Sequence, residues 1–577
     1  MVDTYFLGSA ESAVPSAFAV SQKDAMCAIG THTVPATTDL CPSVTNTAKS
    51  GDPAVYAYAV DTFFSATNYI GAFAPGSDLE NNWAAGWTVG LFTDPACPAG
   101  TLESETLQGR KVCDLNGIIK DDLTLVAGNY YKLDGKVQIG VDVGADGTAA
   151  SGDTATLTIN PGVTIFGESG NDYLVVMRGS DINAVGTKSA PIIMTGKQDI
   201  LGQADVNSTR GLWGGLVILG QAPINKCTYT AGAKAVPCQK EVEGSAGDVM
   251  GGEIPADSSG SLKYVRVQYA GYEIFPGNEL NGITFGGVGN GTSVEYVQVH
   301  NNVDDCVEFF GGTVDVKHLI CTGAGDDNLD IDWGYQGRLQ HVIVQQSNDT
   351  GDHIVESDNT NSDTRAGVVY LTEPRSNPIV ANFTFISRGH DEVFKLKEGV
   401  SGQYYNGVAA VLNAASGLTK GCIETTYTAQ TIADGATTPN FSFNSVAFDC
   451  PDATSGNGTS DLVKIGEYST GTDNAATIAD VEAIVKAGAN NLYAATSGGG
   501  TYANNLGKEF NSVPALVFSG NGVVVNGPTE TAATVTAIPS TYNADGFFDT
   551  PTYIGAVKDS TDDWYKVWTV PGSINLN

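Results

Sequence analysis

Paired acidic residues recur along the middle of the sequence, and each pair directly follows a short β-rich run. Another carboxylate comes three residues after most of the pairs, so several hard oxygen ligands fall within a few residues of one another. Ca²⁺ takes six to eight oxygen ligands in flexible geometry, which suits such a set better than Mg²⁺ or Zn²⁺ would. The pattern predicts calcium ligands at Asp304, Asp305, Glu308, Asp326, Asp327, Asp330, Asp332, Asp352, Glu356, Asp358 and Asp391.

Two other interpretations of this acidic row stay open. The carboxylates could form a solvated polar face of hydrogen-bonded turns, or one pair of them could act as general acid and base. The five histidines other than His32 lie in the same stretch, from His300 to His390, but they offer no compelling four-ligand set for zinc. His318 and His341 hold equivalent positions that alternate with apolar residues, so we expect both to point outward.

Short β-rich runs repeat at a period of about 22 residues, and they predict the elements that hold the acidic row. One coil of a parallel β-helix has about this length. The alternative folds are a β-propeller and a β-sandwich, but each blade of a propeller needs about 40 to 45 residues. We therefore predict an all-β, right-handed parallel β-helix over residues 114–450, with equivalent side chains stacked about 5 Å apart. The aligned runs are Leu262–Val267, Val294–Val299, Val316–Cys321, Leu339–Val344 and Val380–Phe385.

The regions on either side of the predicted coils share a repeated motif, since residues 61–72 recur as residues 545–556 and a pair of tryptophans follows each copy. We interpret residues 1–113 as an N-terminal accessory or assembly region. Residues 451–577 are interpreted as a C-terminal region with a short helical insertion and an aromatic cap. The repeated aromatic residues either plug the open ends of the solenoid or meet head to tail in neighbouring molecules.

The charge of the chain excludes several classes of partner. It carries 64 acidic against 29 basic residues, a formal net charge of -35. Nucleic-acid binding needs clustered Lys and Arg that neutralise phosphates, so no nucleic-acid partner is expected. No stretch approaches the about 20 apolar residues of a membrane span, so no membrane insertion is expected either.

Ten cysteines without a CxxC motif predict a set of disulfides instead of a zinc site. Such a set favours export to an oxidising compartment. Pairing each cysteine with its nearest neighbour gives Cys27–Cys41, Cys97–Cys113, Cys227–Cys238, Cys306–Cys321 and Cys422–Cys450.

Five strings of residues are distinctive, namely Gly211–Asn225, Leu262–Val267, Phe309–Leu319, Asp330–Gly334 and Tyr553–Ala556. They resemble a family of secreted, β-rich surface proteins of Gram-negative bacteria. The resemblance covers roughly residues 123–568, and it is greatest to S-layer proteins of marine gammaproteobacteria of the Pseudoalteromonas type. It implies a self-assembling lattice on the outer cell surface that is shed into biofilm matrix, and it implies no catalytic residue.

We therefore predict a non-enzymatic, extracellular S-layer protein that assembles with copies of itself into a calcium-stabilised two-dimensional array. Calcium would also link the acidic surface to anionic lipopolysaccharide. The alternative is a carbohydrate-active β-helix enzyme, a polysaccharide hydrolase or lyase. Gly325-Asp326-Asp327 and Arg388-Gly389-His390 resemble motifs of the polygalacturonase family, but Asp391 stands where that family has a second glycine.

Overall fold

The computed structural model describes most of the chain from residue 95 onward, so residues 1–94 of the predicted accessory region lie outside the described residues. Two compact units can be distinguished, and the larger one, made of Cys97–Gln108, Val112–Val126 and Tyr130–Asn577, consists mainly of β-strands. None of the described helices is long and apolar enough to cross a membrane. The described residues are 95–227, 229–230, 233–275, 277–360, 371–411, 422–425, 441–449, 463–465, 478–492, 533–559 and 561–574.

The described residues form 30 β-strands and two short helices. The helices are α1 (Lys197–Ile200) and α2 (Ile478–Ala487). The strands are β1 (Leu102–Leu107), β2 (Arg110–Ile119), β3 (Leu123–Leu125), β4 (Tyr130–Ile139), β5 (Thr156–Ile159), β6 (Thr164–Gly167), β7 (Tyr173–Val176), β8 (Asp181–Val185), β9 (Ile192–Gly196), β10 (Gly215–Leu219), β11 (Tyr229–Thr230), β12 (Ala233–Lys234), β13 (Lys240–Glu241), β14 (Val249–Met250), β15 (Gly260–Gln268), β16 (Tyr272–Phe275), β17 (Asn278–Leu280), β18 (Ile283–Gly286), β19 (Ser293–His300), β20 (Val307–Phe310), β21 (Asp315–Thr322), β22 (Leu329–Asp332), β23 (Arg338–Gln345), β24 (Val355–Ser357), β25 (Ile379–Ser387), β26 (Phe394–Leu396), β27 (Gly402–Val411), β28 (Ile423–Thr425), β29 (Phe441–Asp449) and β30 (Val463–Ile465).

Two long stacks of parallel strands make up the body of the larger unit. The first stack pairs β15, β19, β21, β23, β25, β27 and β29 in succession. The second stack pairs β7, β10, β18, β20, β22, β24, β26, β28 and β30. From β18 onward the chain alternates between the two stacks, so each pair of strands forms one coil. The fold is a parallel β-helix, as predicted.

The 22-residue repeat found in the sequence corresponds to the pairing of successive strands in the first stack. Leu262 pairs with Val294, Val294 with Val316, and Val316 with Leu339. Leu339 pairs in turn with Val380, so all the predicted alignments are confirmed. Apolar residues at these positions fill one continuous core between the stacks, and this burial is the driving force that holds the coils in register.

The long strands of the first stack share a bend, at which one residue adopts a left-handed φ. These residues occupy the same place in successive coils, and their side chains form a column outside the core, called here the bend column. Its rings stack with centroid separations of 4.6 Å (Tyr264 and Tyr296), 4.2 Å (Tyr296 and His318) and 4.9 Å (His318 and His341). The column consists of Tyr264, Tyr296, His318, His341, Asn382, Asn406 and Ser445, with φ between 50° and 61°.

Residues 533–574 cover this column and are called the C-terminal strap. The strap lies along the side of the coils, in what we call the strap groove, and not over an end of the solenoid as a plug would. Trp568 is fully buried there, and its ring meets that of Tyr264 edge-on at 5.7 Å. Farther along the groove, Asn382 donates a hydrogen bond to the Tyr553 carbonyl (3.1 Å). The short helix α2 is separate from the strap and inserts Val481 and Val485 into the main core.

Three of the predicted disulfides are present in the structure: Cys97–Cys113, Cys227–Cys238 and Cys306–Cys321. Cys422 is also disulfide-bonded, but its predicted partner Cys450 lies outside the described residues, as do Cys27 and Cys41. Disulfides form and persist in oxidising compartments, so the protein belongs outside the cytoplasm.

Candidate metal centre

Acidic residues line the outer side of the second stack because the strand register superposes them. Glu308 pairs with Asp330, and Asp330 pairs with Glu356. The two following coils place Lys395 and Glu424 at the same position. The residue that precedes each of them in its strand is apolar and lies in the core, so these side chains face outward.

A second acidic column comes from the turns that precede these strands. The backbone N–H of Asp305 donates to Asn281 Oδ1 (3.1 Å), and that of Asp327 donates to Asp305 Oδ1 (3.0 Å). The N–H of His353 donates in the same way to Asp327 Oδ1 (2.6 Å). Each side chain is thereby fixed against the backbone of the next coil, and the two columns lie side by side.

Carboxylates of both columns converge in two overlapping groups. Asp304, Asp305 and Asp326 each place an oxygen within 4.8 Å of the others, and Asp305, Glu308 and Asp330 do the same. Asp305 is 7% exposed and Glu308 is 6% exposed. Among the described residues, no lysine or arginine forms an ion pair with any of these five, and the buried Asp330 Oδ1 has no hydrogen-bond partner.

The environment of these groups opposes ionisation. Burial, reinforced by neighbouring carboxylates, raises the pKa of Asp305, Glu308 and Asp330 well above the ordinary range. Burial and the charge of Asp326 raise the pKa of Asp304 to about 8. Near neutral pH the cluster therefore needs either protons or a bound cation to offset its negative charge.

His353 neutralises the neighbouring part of the row. Its Nδ1 lies 3.3 Å from Asp327 Oδ1 and 3.4 Å from Asp352 Oδ1, and its Nε2 lies 3.6 Å from Asp391 Oδ1. Burial works to lower the pKa of His353, but the contacts with Asp327 and Asp352 outweigh it and raise the pKa to about 10. The imidazole is therefore protonated and acts as a cation among these carboxylates.

A further group brings His353 and Asp391 together with two carboxylates that the sequence pattern does not mark, Glu392 and Glu424. Burial and the adjacent Asp391 raise the pKa of Glu392 to about 9. The sequence analysis expected no zinc set, yet one imidazole nitrogen and three carboxylates meet here. They could hold a divalent cation only after His353 had lost its proton.

Two lysines occupy the next coil. Lys395 Nζ lies 2.7 Å from Glu356 Oε1, and Lys397 Nζ lies 2.9 Å from the same oxygen and 3.0 Å from Asp358 Oδ2. Burial works to raise the pKa of Glu356, but Lys397 and Lys395 outweigh it and lower the pKa to about 2. Glu356 and Asp358, both predicted as calcium ligands, are thus partners of lysines in this structure.

The converging groups contain most of the predicted ligands, and they also contain residues that the sequence analysis left out. His353 lies among the predicted acidic pairs, and Glu392 directly follows one of them. Glu424 could have been found from the strand register, since it stacks on Lys395. Asp332, Glu356 and Asp358 belong to none of the groups within the described residues. The predicted ligands that do converge are Asp304, Asp305, Glu308, Asp326, Asp327, Asp330, Asp352 and Asp391.

Comparison with known proteins adds one finding. No curated protein matches this chain, and no solved structure matches it either. The sequence profile of the pectate-lyase-like β-helix domain matches residues 117–492, which is more than half of the chain and spans both strand stacks. The matched segment includes the whole acidic row. The chain therefore belongs to the family of pectate-lyase-like β-helix domains.

Proposed function

We propose that this protein is a structural cell-surface protein whose coils bind Ca²⁺ along the acidic row and which assembles into a two-dimensional array of the S-layer type. The observation that carries the proposal is the group formed by Asp305, Glu308 and Asp330. Three carboxylates converge there on the outer side of a stack, mostly buried and without a basic partner among the described residues. A group of this kind is more stable with a bound cation than without one.

Calcium fits this group better than other common cations. All the candidate ligands around Asp305 are hard oxygens, and Asp304 and Asp326 add two more carboxylates beside it. Ca²⁺ accepts six to eight such ligands at 2.3–2.6 Å, completing its shell with water or carbonyl oxygens. Mg²⁺ holds its waters more strongly, and zinc prefers nitrogen or sulfur ligands.

An array function agrees with the charge and the compartment. A chain with net charge -35 repels its own copies and anionic lipopolysaccharide, so assembly needs a cation between negative surfaces. Disulfides place the protein outside the cytoplasm, where millimolar Ca²⁺ is available. Calcium would then stiffen individual coils and also join neighbouring molecules.

Electron microscopy of negatively stained protein, with millimolar Ca²⁺ and again after EDTA, tests the proposal. We expect ordered sheets in calcium that disperse with EDTA, while circular dichroism shows that the strands persist. Titration calorimetry with Ca²⁺ gives the number of sites in the same samples. Dispersed molecules under both conditions, or sheets that resist chelation, would contradict the proposal.

The second candidate function is that of a carbohydrate-active enzyme, which the family membership favours. The group around His353 offers the parts, since Glu392 with its raised pKa could donate a proton while Asp391 and Asp327 remain close by. A screen of the wild-type protein against uronic-acid and neutral polysaccharides, with and without Ca²⁺, tests it. Turnover that disappears in Glu392→Gln would support an enzyme.

A further inference from the structure

The C-terminal strap has a second copy in the chain, in the N-terminal part of the sequence. Residues 58–72 align with residues 542–556 without a gap, and Trp83-x-x-x-Trp87-Thr88-Val89 repeats as Trp564-x-x-x-Trp568-Thr569-Val570. The N-terminal copy lies outside the described residues. The contacts of the C-terminal copy show which of the shared residues are needed to bind the strap groove.

The first shared element is an aspartate followed by two phenylalanines. Asp545 accepts two hydrogen bonds from the Arg338 guanidinium (2.7 and 2.6 Å), and the Phe547 ring lies 4.6 Å from the same guanidinium. Phe548 is 3% exposed and packs in a cluster with Ile379. The N-terminal copy carries the same types at the aligned positions, namely Asp61, Phe63 and Phe64.

The second shared element is Ile-Gly-Ala, and its middle residue must be glycine. Gly555 has a φ of 83°, and its N–H donates to the Asn406 carbonyl (2.9 Å). Ile554 and Ala556 on either side are buried against the outer face of the first stack. A side chain at the glycine would strain this conformation. The aligned residues are Ile70, Gly71 and Ala72.

The third shared element is the tryptophan pair with the Thr-Val that follows. Trp568 is fully buried against the bend column, and the N–H of Val570 donates to Gln298 Oε1 (2.7 Å). Trp564 meets the His318 ring edge-on at 4.9 Å. These contacts use residue types that Trp83, Trp87 and Val89 supply equally well.

The two copies differ in one buried side chain and in charge. Tyr565 of the strap, which is 1% exposed, aligns with Ala84. Asp549, which contacts Lys317 (3.3 Å), aligns with Ser65, and Asp563, which contacts Lys188 (3.0 Å), aligns with Asn82. Both aspartates of the strap are more than half exposed, so the ion pairs that the N-terminal copy lacks contribute little. The N-terminal copy is thus a weaker ligand for the same groove, and it can replace the tethered strap only where an array holds it beside the groove at a high local concentration.

We propose that residues 58–89 of one molecule bind the strap groove of a neighbouring copy and take the place of its C-terminal strap. This inference rests on the proposed function, because it names the contact that links molecules in the array. The contact joins two different surfaces of the same chain. It is therefore heterologous, and it propagates from molecule to molecule instead of closing a dimer.

Photo-cross-linking of the full chain tests the proposal. Phe64→p-benzoylphenylalanine is introduced into both ¹⁴N- and ¹⁵N-labelled protein, the two are mixed in Ca²⁺, irradiated and digested. Mass spectrometry should find residue 64 joined to peptides of β25 or β27, which line the Phe548 site, with mixed isotope labels. Phe548→p-benzoylphenylalanine is the matched control, and it should reach the same peptides within one chain.

Two glycine variants test the same contact with the cross-linker kept at residue 64. Gly71→Val should reduce the mixed-label cross-links at least tenfold, whereas Gly76→Val, outside the shared elements, should leave them unchanged. The inference is wrong if residue 64 forms no cross-link to peptides of the groove. It is also wrong if both cross-linked peptides always have the same isotope label. If calcium-dependent sheets form without mixed-label cross-links, the inference is wrong but the proposed array function stands. If mixed-label cross-links form without sheets, the contact is confirmed and the proposed array function is wrong.

Discussion

Asp327 contacts His353 twice: its Oδ1 accepts the backbone N–H of His353 at 2.6 Å and lies 3.3 Å from the imidazole Nδ1. The two side chains are 4% and 3% exposed, so this is a buried ion pair between adjacent coils. It divides the acidic row into two parts. Among the described residues, Asp304, Asp305, Glu308, Asp326 and Asp330 form no ion pair with a lysine or arginine. Asp352, Glu356 and Asp358 instead contact His353, Lys395 and Lys397.

The first prediction concerns the pH dependence of this pair. The folded-state pKa of His353, about 10, lies above its ordinary value of about 6.5, so folding takes up a proton. The stabilisation is complete below pH 6.5 and is lost as pH rises toward 10. At pH 7 in EDTA, His353→Gln should lower the free energy of unfolding by about 3 kcal/mol, because it leaves Asp327 buried without its cation. Calorimetric melting from pH 6 to 10 should show this difference shrinking, and a difference that grows would contradict the assignment.

The second prediction concerns calcium and pH together. Burial, reinforced by the charge of Asp326, raises the pKa of Asp304 to about 8, above the ordinary aspartate value of about 3.9. The folded state thus binds more protons than the unfolded chain, and stability without metal should fall as pH rises from about 4 to 8. Added Ca²⁺ should raise the melting temperature more at pH 8 than at pH 5. An equal increase at both values would mean that calcium binds elsewhere.

The third prediction separates ligands from lysine partners. Asp330→Asn should weaken Ca²⁺ binding at least tenfold in titration calorimetry and, in EDTA, should raise the melting temperature, because it removes a buried carboxylate that has no cation. Glu356→Gln, at the stacked position of the next coil, is the matched control. It should keep the calcium affinity and lower the melting temperature, since Lys395 and Lys397 lose their partner. The same result for both variants would contradict the division of the row.

The fourth prediction concerns the attachment of the strap. Arg338 binds Asp315 inside the first stack (2.6 Å) as well as Asp545 of the strap. Asp545 is more than half exposed, so Asp545→Asn should cost less than about 1 kcal/mol. Arg338→Ala also leaves Asp315 without its cation and should cost about 3 kcal/mol. Limited proteolysis should release strap peptides faster from both variants than from the wild-type protein, and fastest from Arg338→Ala. Release at the wild-type rate in both variants would show that the salt bridge does not hold the strap.

The fifth prediction concerns the disulfide between Cys306 and Cys321. This disulfide lies within the core and links the second strand stack to the first. It closes a loop with a sequence separation of 15, for which chain entropy gives about 3 kcal/mol of stabilisation. The double variant Cys306→Ala and Cys321→Ala should lower the melting temperature accordingly without changing the strand content in circular dichroism. An unchanged melting temperature would show that the coil stack alone restricts this loop.

The coil register could be predicted from the sequence because it is local and regular. Val294, Val316 and Leu339 follow one another at nearly constant spacing, and their pairing follows directly from it. Stacking of the acidic pairs is a consequence of the same spacing. Glu356 pairs with Lys395, 39 residues later, and at this step the period that identified the other ligands is lost. The lysines therefore could not be predicted as neighbours of the row.

The position of the strap could not be predicted either. Arg338 and Asp545 are separated by 207 residues, and no pattern in the sequence joins them. The aromatic residues of the strap predict burial in general terms, but an open end and a lateral groove present the same apolar chemistry. Only the bend column, in which Tyr296 and His318 turn their rings out of the core, makes the lateral groove a binding surface.

The spacing between paired strands of the first stack is 22 residues from Val294 to Val316 and 41 residues from Leu339 to Val380, yet the register is kept. Hydrogen-bond geometry sets the rise of the stack, and chain length does not, because the spacing along the chain almost doubles here without changing the pairing of the strands. A foreign peptide or a small domain inserted in the segment between β24 and β25 should therefore leave the strand pairing on either side unchanged. In an array of the proposed kind, such a graft would repeat at the lattice spacing.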